Sequence, residues 1–229
     1  MIPLRDENPT HRIPFVNYML IAINVIMFLW QISLGTNNQA VFYRLALVPQ
    51  DVTSAVDLRD LRSIFTSMFM HAGLAHLLGN MLYLWIFGDN VEDVLGHFRY
   101  LMFYLVGGFV ASFTHIMLNP TSKVPTVGAS GAIAATLGAY LLLFPHRRVV
   151  TLIPLGFFIQ IARIPALFVL GIWFLFQLFE GVLALGMTQL GGVAFWAHIG
   201  GFVFGMLFGP LLRSHKRSPM RVINDWRRW

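Results

Sequence analysis

Ser130 stands in the run VGASGAIAATLGAYLLLF, Val127 to Phe144, apolar enough for a bilayer yet opening on a hydroxyl between glycines. A hydroxyl becomes a nucleophile when a base lies within about 2.6 to 3.2 Å of it. His198 is the only ionisable residue between Glu180 and Arg213. His76 and Asn80, four residues apart in HAGLAHLLGN, share a face if that stretch is helical. Each residue alone has an ordinary reading. A serine in a helix satisfies its hydroxyl on a carbonyl one turn earlier, and a solitary histidine is more often an interior residue than a catalyst. The combination says more: a hydroxyl, a base and two further polar side chains on three apolar segments. Two other motifs fail on spacing. GASGA has Ala132 where the strand-borne nucleophile turn GxSxG needs glycine. HAGLAH lacks the glutamate of the zinc motif HExxH.

The elements that must position these groups follow from hydropathy. Of 229 residues 57% are hydrophobic and 11% charged, and the mean hydropathy of +0.68 exceeds that of soluble domains. Runs long enough to span are Phe15 to Leu34, Ala72 to Gly88, Tyr100 to Leu118, Val127 to Phe144, Ile164 to Leu185 and Val193 to Leu212. The expected fold is all-α, a polytopic membrane protein with six transmembrane helices in residues 1–212 and a basic tail in 213–229. The first span is read as retained, since no small-residue cleavage site follows it. His76, Ser130 and His198 fall three to five residues past the starts of spans two, four and six. That places them at a similar depth, roughly 5 to 8 Å in, with Asn80 one turn deeper.

Charge gives orientation. Only Arg44, Arg59, Arg62 and Lys123 of the sixteen Lys and Arg lie on the side of the first, third and fifth loops. By the positive-inside rule both termini are cytoplasmic. The tail RSHKRSPMRVINDWRRW suits an anionic lipid surface, and without a recognition motif it does not argue for nucleic acid. With no cysteine, disulfide and thiol chemistry are excluded. The loop from Gly35 to about His71 mixes apolar pieces with charge and is expected to fold at the membrane surface. Pro120 and Pro125 keep the segment before Ser130 irregular. Such backbone survives at membrane depth only when buried in protein or beside water.

Glycine spacing bears on the approach of nucleophile and base. Gly128, Gly131 and Ala132 thin one face of span four, and Gly201, Gly205 and Gly209 repeat GxxxG on span six. Small residues let helix backbones come close. That repeat by itself signifies only packing, but here the packing would bring serine to histidine.

GASG at Gly128 to Gly131, AHIGGFVFG at Ala197 to Gly205 and HAGLAHLLGN at His71 to Asn80 resemble the rhomboid intramembrane serine proteases. The Arg62 and Thr66 region, Gly88 with Glu92, and the six-span layout extend the likeness over nearly the whole chain. The resemblance implies Ser130 as nucleophile, His198 as general base, and His76, Asn80 and the Ser130 backbone N–H as oxyanion donors. Gly128 and Gly131 would permit the tight backbone there, and Gly201, with Gly205, the close helix contact. It implies transmembrane protein substrates taken from the lipid bilayer beside span five, no metal or other cofactor, and a place in the bacterial inner (plasma) membrane. Two positions depart from the family: Ala134 stands where an aromatic ring often stacks on the histidine, and Leu61 where a tryptophan precedes the loop arginine. Trp196 or Phe202 is then expected to hold the His198 ring.

Two other readings are a binding protein of this fold without catalysis, and a small transporter in which Glu180 and Gln177 of span five line a path. Both reacting residues are present, which disfavours the first. Glu180 lies near a span end, where it reaches interfacial water. His115 is expected at the interface, His71 as support for the loop, and Glu92 as a structural contact with Arg99 or Arg147 as partner.

Overall fold

The computed structural model describes residues 1–54, 57–155, 158–184 and 194–213. Six helices occupy the six apolar runs: α1 (Phe15–Ser33), α5 (Leu74–Leu95), α6 (His97–Leu118), α7 (Ser130–Leu143), α8 (Ala166–Ala184) and α9 (Phe195–Phe208). Between α1 and α5 lie three short helices, α2 (Asn38–Leu45), α3 (Pro49–Ser54) and α4 (Leu58–Thr66), so the long loop is folded. Helices α1, α6 and residues Ala166–Leu183 of α8 are long and apolar enough to cross a membrane. Helix α5 has the length, but His76, Asn80, Asp89 and Asn90 dilute its apolar character. Helices α7 and α9 have 14 residues each, about 21 Å of rise, and carry Ser130 and His198. The basic tail from residue 214 onward lies outside the described residues.

The expectation of an all-α chain needs correction. Strands β1 (Ile2–Asp6), β2 (Arg148–Leu155) and β3 (Phe158–Pro165) form an antiparallel sheet in the order β1-β2-β3. β2 and β3 pair from Arg148↔Pro165 to Leu155↔Phe158 as a hairpin between α7 and α8, and β1 covers only Val149 to Leu152. The hydrophobic runs end at Phe144 and resume at Ile164, so they leave β2 and β3 up to Arg163 in a connecting loop and place only Ile164 and Pro165 of β3 in span five. Pro154 fits because it lies beyond the part of β2 that β1 covers, where no partner needs its missing N–H.

Asp6 ties this sheet to the helices. Its carboxylate accepts the Tyr140 hydroxyl at 2.6 Å and the Asn90 amide at 3.0 Å. Burial pushes its carboxyl up from 3.8 to about 6, against the weaker opposing effect of the Tyr140 hydrogen bond. A raised acid favours the folded state while protonated. This contribution is therefore complete below pH 4 and is lost as pH rises through 6. Asp6→Asn is expected to remove part of the fall in unfolding temperature between pH 4.5 and 7.5, and superimposable pH profiles for the two proteins would contradict it.

Glu92 is 1% exposed, and its partners are not the arginines expected from sequence. Its two oxygens accept the Val16 and Asn17 N–H groups at 2.9 and 2.7 Å, capping α1, and it also pairs with His97. Pro14 supplies no side-chain cap there, so a distant carboxylate satisfies the free amides of the first turn. At the other end of α1, the Gln31 amide donates to the His71 carbonyl at 2.8 Å and accepts the His71 N–H at 3.3 Å. That fixes the chain entering α5.

Helices α7 and α9 form the closest pair. A β-carbon on Gly201 would collide with the Gly131 carbonyl oxygen, and one on Gly205 with that of Ala135. Gly131 itself faces α6, where a β-carbon would come 2.7 Å from that of Ala111. Three helices thus meet around the first turn of α7 through residues too small to hold them apart.

Candidate active site

Ser130 is the first residue of α7, reached through irregular chain from Asn119 to Ala129. That chain has no helix to satisfy it, and the folded loop does so instead. Leu47 and Thr126 exchange backbone hydrogen bonds at 3.0 and 2.7 Å, and the Gln50 N–H donates to the Ser122 carbonyl at 3.0 Å. The Thr53 hydroxyl donates to the Pro120 carbonyl at 2.7 Å, and the Gly128 N–H to that of Ser67 at 2.8 Å. Helix α3, with Leu47 before it and Ser67 after α4, therefore holds the chain that presents the serine, a role the composition of the loop does not announce.

Gly128 has φ of 131°, which side-chain-bearing residues rarely adopt, and a β-carbon there would lie 2.8 Å from His76 Cε1. The turn brings Ser130 to the start of α7 with the backbone N–H groups of the first turn free of intrahelical partners. The Ser130 Oγ lies 2.7 Å from His198 Nε2. His198 is 9% exposed in the first turns of α9.

From α5, His76 and Asn80 face the same cavity, which measures about 1010 Å³ and is also lined by Ser130, His198, Gly128 and Met68. The Ala72 N–H donates to His76 Nδ1 at 3.5 Å, leaving Nε2 as that ring's donor. Asn80 is 8% exposed, and its amide nitrogen has no hydrogen-bond partner among the described residues. A buried donor left unpaired costs about 1 to 3 kcal/mol, so this one is available to something that enters the cavity. The four polar groups expected at one depth thus border one space, with Ser130 opening its helix rather than lying three residues inside it.

Other residues depart from expectation. Phe202 stacks on Phe174, with centroids 4.5 Å apart, and Trp196 lines the cavity. The ring beside His198 is Trp173 of α8, at 5.9 Å between centroids and 35° between planes. Gln177, one turn further on, places its Oε1 2.6 Å from His198 Nδ1. The sequence offered Gln177 only as part of a transport path, and its spacing of four from Trp173 was the available signal. Glu180 is exposed. His115 lies in the cavity wall, its Nε2 3.2 Å from Thr126 Oγ1. His71 packs edge-on against His76 with centroids 5.2 Å apart. Among the described residues no cluster of His, Asp or Glu could hold a metal ion.

Comparison with known proteins gives a family match over most of the helical region: residues 58–215 match the rhomboid domain. Similar curated proteins include Rhomboid protein 1, mitochondrial, of Saccharomyces cerevisiae, 29% identical over 220 residues, which are 93% of this chain and 58% of that protein. Rhomboid protease GluP of Bacillus subtilis is 34% identical over 129 residues, 56% of this chain and 24% of that protein. RHOMBOID-like protein 1 of Arabidopsis thaliana is 31% identical over 159 residues, 69% of this chain and 36% of that protein. The chain thus spans less than two thirds of the length of each of these relatives.

Proposed function

The chain belongs to the rhomboid family, and from that premise we propose that it is an intramembrane serine endopeptidase that hydrolyses single-pass membrane proteins near the outer face of the membrane. The observation that carries the reading is the 2.7 Å contact between Ser130 Oγ and His198 Nε2 at the wall of a cavity that also holds the unpaired Asn80 amide.

In this reading His198 Nε2 takes the Ser130 proton as Oγ attacks the scissile carbonyl. The oxyanion accepts hydrogen bonds from Asn80 Nδ2, His76 Nε2 and the Ser130 backbone N–H at the positive end of α7. His198 returns the proton to the leaving amine, and then activates the water that hydrolyses the acyl-enzyme. Gly128 and Gly131 allow the backbone turn and the contact with α6, and Gly201 and Gly205 the approach of α9. The substrate is a transmembrane segment entering from the bilayer beside α8, with small residues at the cut. The same reading has six spans in residues 1–212, a basic tail in 213–229 against anionic lipid, and both termini cytoplasmic in the bacterial inner membrane.

The test is co-reconstitution of the full chain with a single-span membrane protein in liposomes, reading cleavage by mass spectrometry. A cut near the outer face, lost on replacing Ser130, supports the proposal, and flux of a solute that survives that replacement would favour a transporter. Asn80→Ala is expected to lower kcat on the order of 10²- to 10³-fold with little change in KM. A fall in substrate affinity alone would place Asn80 in binding instead.

A further inference from the structure

We infer that Gln177 of α8 is a positioning residue for His198, so that the base is aligned only while α8 is seated against α9. This rests on the serine protease reading above. Gln177 Oε1 lies 2.6 Å from His198 Nδ1, and an amide oxygen only accepts. Nδ1 therefore carries the ring proton and donates it, and the lone pair is left on Nε2, which faces Ser130 Oγ at 2.7 Å. The opposite tautomer would set two lone pairs against each other at Nδ1 and leave no base facing the serine.

When Nε2 takes the serine proton, positive charge develops on the ring, and the amide dipole at Nδ1 stabilises it without a third acid. Trp173 stands one turn before Gln177 on the same face of α8, with its ring beside the imidazole. A single helix thus supplies both the Nδ1 acceptor and the ring contact. Helix α7 supplies neither: Ala134 is a buried methyl in that helix. Among the described residues nothing covers the outer side of α8, where Phe168, Leu175, Phe176 and Phe179 are exposed, so none of them locks α8 from outside. An outward shift of about 1 Å lengthens the Gln177 contact beyond hydrogen-bond range and releases the ring from its productive orientation.

The experiment compares Gln177→Leu and Gln177→Glu with the wild-type full chain in liposomes. It reads kcat and KM on a transmembrane substrate, the rate at which a fluorophosphonate inactivates Ser130, and the ¹⁵N shifts of the His198 imidazole in the wild type. The leucine variant should lose kcat and inactivation rate together, by on the order of 10- to 100-fold, with KM within about twofold. The glutamate variant, which keeps an acceptor at Nδ1, should recover most of both. The ¹⁵N shifts should place the proton on Nδ1. Wild-type rates in the leucine variant, equal impairment in the glutamate variant, or a ring proton on Nε2 would each overturn the inference. Ser130→Ala separates the two layers: cleavage that survives it defeats the protease reading, and the imidazole shifts still decide the Gln177 contact. If the leucine variant does not fold, the glutamate variant and the wild-type spectrum give the answer.

Discussion

Ser130→Ala should reduce cleavage of a transmembrane substrate by on the order of 10⁴- to 10⁶-fold, to a level set by the remaining groups of the cavity, and should abolish labelling by a fluorophosphonate. The size of the effect follows from chemistry: alanine has no atom to bond the scissile carbon, so the covalent route is lost rather than slowed. The fold should survive. Ser130 is half-buried at the helix start, its hydroxyl pairs with His198 at the wall of the cavity, and alanine is a good residue for a helix. The measurement is therefore paired, with cleavage collapsing while the unfolding temperature stays near the wild-type value. Retained cleavage would remove Ser130 from the mechanism, and a collapse of both would leave its chemical role undemonstrated by this variant.

Gly205→Val should cost both stability and activity. A β-carbon at 205 falls on the carbonyl oxygen of Ala135, with the carbonyl carbon and Cα of that residue also within contact range. Those atoms are backbone in the middle of α7 and have no rotamer by which to yield. The helices must separate or shift, and overpacking of this kind costs about 1 to 3 kcal/mol, more where backbone meets backbone. His198 lies seven residues earlier on the same helix, about two turns away. A displacement of α9 by about 1 Å carries Nε2 outside the 2.6 to 3.2 Å range that proton transfer from a serine needs. Cleavage should fall at least on the order of 10²-fold, with a lower unfolding temperature in detergent, and Gly205→Ala should lie between. Wild-type stability in the valine variant would mean that α7 and α9 do not approach as closely as their glycines permit.

Ser130, His198, His76 and Asn80 stand out in the sequence because a polar side chain in an apolar run needs a reason, and their distances from the run starts put them near one depth. The GxxxG repeat of Gly201 and Gly205 likewise announces close helix packing. The sheet was not legible, because RVVTLIPL and FIQIARIP carry Arg148, Gln160 and Arg163 and lie almost wholly between the fourth and fifth apolar runs, where a scan for spans leaves only a loop. The partners of Glu92 were missed for another reason. Charge pairing suggested arginines, whereas the carboxylate binds the backbone amides that open α1, and a backbone donor leaves no mark in sequence. The loop from Gly35 to about His71 is expected from sequence as folded surface, but the hold of α3 and Leu47 on Pro120, Ser122 and Thr126 depends on which carbonyls the irregular chain leaves unpaired.

By itself the sequence determined a membrane-embedded, mainly helical chain, the polar residues able to do chemistry, and the small residues that let their helices meet. Each of these is a property of residue type and spacing along one element. Only the tertiary structure decided that Gln177 and Trp173 of α8, rather than Trp196 or Phe202, stand against His198. It also decided that Ser130 opens its helix and that a sheet closes the other end of α7. These depend on the rotation of one helix against another and on where a helix begins, and both are settled by packing across the whole bundle rather than by any local run.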